Sequence, residues 1–186
     1  MARRHGGIEE LAVSTAVRRC TSPLVLWPAG AFGVFMLGAW LGAVGAWMTP
    51  GAQLDPTNSI GSALEIFLHN LVVLGLISAG GATLGMTTVG ALFLNGGLVG
   101  YVGTELLERH QFGMFMTAVG PQLALELGAY VIAAGATLRL GWSIWWPVVS
   151  RRRGGRVQWR QWMVAEAAAV FMLFGGAVVE AAFSHI

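Results

Sequence analysis

The segment IFLHNLVVLGLISAGGATLGMTTVGALFLNGGLVGYVGT (66 to 104) runs for 39 residues, from Glu65 to Glu105, without an Asp, Glu, Lys or Arg. About 20 apolar residues carry a helix across ~30 Å of hydrocarbon, so this stretch has room for two crossings. A second uncharged gap, between Arg19 and Asp55, has room for one. The rest of the chain agrees: of 186 residues, 55% are apolar and 11% charged, where a soluble domain carries ~25% charged residues. An ordinary soluble enzyme is excluded, and an all-α polytopic membrane bundle is expected. The 27 glycines are about twice the usual ~7% share. They concentrate inside the apolar stretches, where small residues let membrane helices approach closely.

Charge placement sets the number of crossings. Nine of the eleven arginines lie in two segments, Arg3, Arg4, Arg18 and Arg19 near the start and Arg151, Arg152, Arg153, Arg156 and Arg160 in a later loop. Two crossings in 63 to 107 put both segments on one side of the membrane; one crossing puts them on opposite sides, against the positive-inside tendency. A turn near Ser78 to Thr83 is therefore expected, with five spans at about 24–48, 63–81, 84–106, 121–146 and 162–183. Residues 1–23 read as a cytoplasmic amphipathic segment, with Glu9 and Glu10 early and Arg18 and Arg19 late, as suits a helix dipole. Residues 24–186 read as a single transmembrane domain. The apolar run from Leu24 to Met48 is too long for a signal sequence and reads as the first span. Trp27 and Trp47 are twenty residues, about 30 Å, apart along it, enough to reach both interfaces.

Pro121 suits a helix start, which leaves FGMFMTAVG (112 to 120) as a re-entrant or interfacial piece; the alternative is a longer fourth helix kinked at Pro121. At the far end of that span Arg139 can snorkel, and Trp142, Trp145 and Trp146 form an aromatic belt ended by Pro147.

Polar residues inside spans are functional candidates by default. Glu65 and His69 are one turn apart on the second span, with Asn70 next to them. Asn95 lies near the middle of the third. Gln122, Glu126 and Tyr130 repeat every four residues on the fourth, with Thr137 further along. One reading of this set is interhelical hydrogen-bonding; the other is a polar pocket or proton path. Glu166 and Glu180 fall near the ends of the last span and can snorkel. Gly38 with Gly42, Gly81 with Gly85, and Gly96 with Gly100 have the spacing of small-residue packing faces.

No catalytic set assembles: the sole Asp, Asp55, is in a loop, Glu65 and His69 supply only two metal ligands, and no phosphate loop is present. No cofactor or metal is expected. The basic pI reflects topology arginines and not nucleic-acid binding, and the single Cys20 cannot form an intramolecular disulfide. Arg139 and the arginines of the loop have topology or anionic-lipid contact as their expected roles.

Three stretches, FLHNLVVLGL (67 to 76), GGATLGMTTVGALFLNGGLVGY (80 to 101) and PQLALELGAYVIAAGATLRLG (121 to 141), resemble the stage II sporulation protein M family. The matching positions are Asn70, Asn95 with Gly96, and Pro121 with Glu126. The family commonly carries Pro-His-Gly before that Glu, whereas here Gln122 and Leu123 follow Pro121. The resemblance implies a non-catalytic component of the bacterial inner membrane, and the arginine placement expects its N-terminus to be cytoplasmic and its C-terminus outside. Such proteins act as scaffold or assembly subunits of cell-envelope complexes, or accompany an ABC-type ATPase in export of, or immunity to, membrane-active peptides of the circular bacteriocin type. Expected partners are membrane lipids, other membrane proteins or a second copy, and an ATPase.

Overall fold

The structure, a computed structural model, describes residues 23–48, 63–150 and 158–183. The N-terminal segment, the loop 49–62 and Arg151, Arg152, Arg153 and Arg156 lie outside the described residues. Five helices account for the fold: α1 Pro23–Met48, α2 Ala63–Ser78, α3 Met86–Glu108, α4 Phe112–Ser150 and α5 Trp159–Phe183. All five are long and apolar enough to cross a membrane once α2 is taken through the 3-10 turn Ala79–Gly81 that follows it. Large apolar side chains such as Trp40, Leu94 and Phe171 point outward, as expected where the solvent of the bundle is lipid and helices are apolar all round. The chain is thus a polytopic membrane protein.

The closest pairing in the bundle joins α1 to α3. It exists because both helices present glycine where they cross. A methyl group on Gly38 would overlap the Phe93 carbonyl, and one on Gly42 the Gly97 carbonyl; reciprocally, Gly96 meets the Phe35 carbonyl and Gly100 the Ala39 carbonyl. Backbone therefore lies against backbone, the arrangement by which small residues bring membrane helices together. The second most extensive pairing joins α4 to α5, and α2 fills the remaining side against both. Where α2, α4 and α5 converge the core is small and aliphatic, with Leu74, Ile77, Ala129, Ala133 and Leu173 sealed from the surface.

The α2–α3 connection falls at residues 79 to 85, close to the expected position. Trp145 of α4 ties it down by donating from its indole nitrogen to the Gly81 carbonyl (3.1 Å), and the Thr88 hydroxyl takes up the Ile77 carbonyl (2.6 Å). Gly85 lies close against Leu138 of α4, but it is a turn residue outside the helices and not one of the expected helix-face pair with Gly81. It caps α3 in the left-handed conformation, φ 87°, which glycine adopts without a Cβ penalty. Gly81 does pack, but against Gly141 of α4.

Two further expectations are corrected. Segment 112 to 120 is neither re-entrant nor separate: it forms the first turns of α4, which runs unbroken through Pro121 and also past Pro147 to Ser150. Each proline removes a single helical donor, which membrane helices tolerate, so neither ends the helix. At 39 residues α4 is about 58 Å long, nearly twice the ~30 Å apolar layer, and it extends beyond that layer.

Candidate functional site

On α2 the residues facing the bundle are Asn70, Leu74 and Ile77, all buried and spaced at i, i+4 and i+7, the period of one helix face. On α4 the corresponding stripe is Gln122, Glu126 and Tyr130. The structure brings the two together. The Asn70 amide nitrogen donates to Glu126 Oε1, the Tyr130 hydroxyl donates back to Asn70 Oδ1 (3.1 Å), and the Gln122 amide nitrogen donates to the same Glu126 oxygen (2.8 Å). Four side chains from two helices thus form one connected network centred on a carboxylate. Because Gln122 must turn its nitrogen to Glu126, its oxygen points elsewhere, and Gln122 Oε1 is buried without a partner.

Helix α5 closes the third side. Gly176 lies against the Gln122 and Glu126 side chains, and one turn further on Glu180 reaches the region beside Gln122. Its Oε2 is also buried without a partner. Glu180 therefore turns into the bundle and does not snorkel from the helix end.

Not every expected member joins. Glu65 and His69 do share a face, but it is the exposed face of α2, about 100° around the helix from Asn70. Asn95, half-buried on α3, turns its amide back onto its own helix and donates to the Ala91 carbonyl (2.8 Å).

A second polar cluster lies toward the other end of the bundle, where Trp27, Trp142, Trp145, Trp146, Trp159 and Trp162 gather. Thr137, fully buried, donates its hydroxyl to Glu166 Oε1 (3.1 Å) and accepts from the Trp162 indole nitrogen (3.1 Å). The Ser78 hydroxyl of α2 stands beside the same carboxylate. Glu166, expected to snorkel, is instead held between α2, α4 and α5. The signal for it was the i, i+4 spacing of Trp162 and Glu166 opposite Thr137, which alone did not say which way Glu166 points. Around this end Trp142 stacks on Trp146 at 4.7 Å and meets Trp27 at 6.0 Å. Near the start of the α3–α4 connection, Glu105 is buried and pairs with Arg109 (3.3 Å). Among the described residues no group of three His, Cys, Asp or Glu side chains is placed to hold a metal ion.

The family model of stage II sporulation protein M matches residues 31–185. The chain belongs to that family. No curated protein and no solved structure matches it. The match takes in all of α2 to α5 and α1 from Ala31 onward, so both the α1–α3 glycine contact and the Asn70–Glu126 network lie within the family region. Gln122, directly after Pro121 in the matched region, is the residue that donates to Glu126 there.

Proposed function

We propose that this protein is a non-catalytic scaffold or assembly subunit of a cell-envelope or export complex in the bacterial inner membrane. The observation that carries the reading is that the carboxylate of Glu126 is engaged by Asn70 and Gln122 within the bundle. A polar group committed to its own neighbours organises helices; one that handles a passing substrate needs open coordination. In this reading the N-terminus and the arginine loop are cytoplasmic, and partners engage the outward apolar faces.

The test is purification from native membranes in mild detergent, followed by reconstitution. A second membrane protein at fixed stoichiometry, lost on exchange of outward residues such as Leu94 and Leu98 for bulkier ones, is expected. Full activity of the chain alone in liposomes would overturn the reading.

A second reading, transport of or immunity to a membrane-active peptide together with an ABC-type ATPase, draws on the two unpartnered buried oxygens, Gln122 Oε1 and Glu180 Oε2. It requires that Glu180→Gln abolish export or protection while expression and thermal stability are kept.

A further inference from the structure

Helices α1 and α5 both pack on α4 but scarcely on each other. At the tryptophan-rich end the space between them is a cavity of about 840 Å³. This lies within the ~300–1,000 Å³ of small-molecule sites. Its rim carries two cations, Arg139 of α4 and Arg160 of α5, with the amides of Gln158 and Gln161 beside them. Further in, the wall is apolar, built from Ile132 and Ala136 of α4 and from Val164 and Ala165 of α5. Ile132 lies seven residues from Arg139, about 10 Å along the helix axis. Pro28 of α1, seated on Gly135, closes the remaining side, and the indoles of Trp27 and Trp162 flank the rim.

Among the described residues the charges at the rim have no acidic partner. Among the described residues the ion pair is Arg109 with Glu105, on the opposite end of the bundle, and no carboxylate lies within bonding distance of Arg139 or Arg160. Glu166, the acidic residue of α5 nearest in sequence to Arg160, is engaged by Thr137. A neutral lipid chain would cover the apolar wall and leave two guanidinium groups without a counter-charge. A soluble anion would satisfy the guanidinium groups and leave the wall bare. A molecule with a phosphate head and an acyl chain satisfies both, since the guanidinium fork matches phosphate oxygens in pairs, and indoles favour the headgroup level.

We propose that the groove between α1, α4 and α5 binds one anionic phospholipid, its phosphate held by Arg139 and Arg160 and an acyl chain laid along Ile132, Ala136 and Val164. The site is independent of the Asn70–Glu126 network and of the scaffold reading.

The full chain, purified in detergent, is titrated with phosphatidylglycerol, phosphatidylcholine or inorganic phosphate, and bound species are counted by native mass spectrometry. One phosphatidylglycerol is expected to be retained in preference to phosphatidylcholine and not to be displaced by inorganic phosphate. Arg139→Gln and Arg160→Gln each weaken retention about fivefold, whereas Arg109→Gln leaves it unchanged. Ala165→Phe, which fills the apolar wall and keeps both arginines, also weakens it. Arg160 is exposed, so its variant tests the charge even if Arg139→Gln misfolds. Equal retention of the two lipids, indifference to both arginine variants, or displacement by inorganic phosphate overturns the proposal, the last by making the site one for a free anion.

Discussion

The amide of Asn70 on α2 donates to the carboxylate of Glu126 on α4, 56 residues away in sequence. Interhelical hydrogen bonds in membranes contribute ~0.6 kcal/mol on average and up to ~1.7 kcal/mol. This one joins a shared network, and its loss also strands the Tyr130 hydroxyl. Asn70→Ala is therefore expected to lower stability by about 1–2 kcal/mol in reversible unfolding in mixed detergent micelles. His69→Ala, one residue away on the exposed face, is expected to change it by less than ~0.5 kcal/mol. Equal losses for the two variants would show that α2 faces the bundle differently.

The α1–α3 contact makes a contrasting pair of glycine predictions. Gly42 has no room for a methyl group, because the Gly97 backbone occupies the place, whereas nothing lies near the corresponding atom on Gly33. Backbone cannot yield as a side chain does, so Gly42→Ala is expected to lose at least the ~1–3 kcal/mol typical of overpacking. Gly33→Ala, in the same helix, is expected to be neutral or to gain up to ~1 kcal/mol through helix propensity. Thermal unfolding of both variants in one detergent decides it: a Gly42→Ala protein as stable as the parent removes the backbone contact.

Charge spacing alone was enough to read the five crossings, because lipid imposes the same length on every span; observed helix ends fall within a few residues of the expected ones except in α4. There Pro121 leaves two readings, a helix start and a longer helix running through it, because both have the same sequence signature, and the structure has the longer helix. The polar site was half legible. Gln122, Glu126 and Tyr130 declare themselves by their four-residue repeat, and Asn70 by being a polar residue within an apolar span. Glu65 and His69 satisfy the same spacing rule on the wrong face, and only packing tells the faces apart. Which way Glu166 and Glu180 turn was not legible, since a carboxylate near a span end reaches either water or a neighbouring helix. Gly85 illustrates a further limit: spacing suggests packing, but its backbone angle assigns it to the turn.

That turn gives a third prediction. Gly85 has φ 87°, and a Cβ there would also press on the Leu138 side chain. An L-residue pays ~1–2 kcal/mol for the left-handed conformation, so Gly85→Ala should destabilise by at least that amount. Gly75→Ala, within α2 and in open space, is the control and should be neutral. A Gly85→Ala protein that unfolds with its parent would mean that the α2–α3 connection takes another path.

The buried Thr137 tests the second polar cluster. Its hydroxyl both donates to Glu166 and accepts from Trp162, and Val matches Thr in shape while offering neither function. Thr137→Val therefore removes one bond to the carboxylate and one from the indole N–H, leaving the Glu166 carboxylate with Ser78 and Trp162 beside it, and lost bonds to buried groups cost about 1–3 kcal/mol. Thr137→Ser keeps the hydroxyl and loses only a methyl group, a loss of ~1 kcal/mol or less. The hydrogen-bond account predicts that Val is worse than Ser. A packing account predicts the reverse, because Val fills the site and Ser does not. Chemical unfolding of the two variants side by side separates them. The indole adds a second readout: the emission of Trp162, taken as the difference between each protein and its Trp162→Phe counterpart, should move in the Val variant and stay put in the Ser variant. If Val proves the more stable, Glu166 finds its stabilisation elsewhere, and the Ser78 hydroxyl beside it becomes the next residue to exchange.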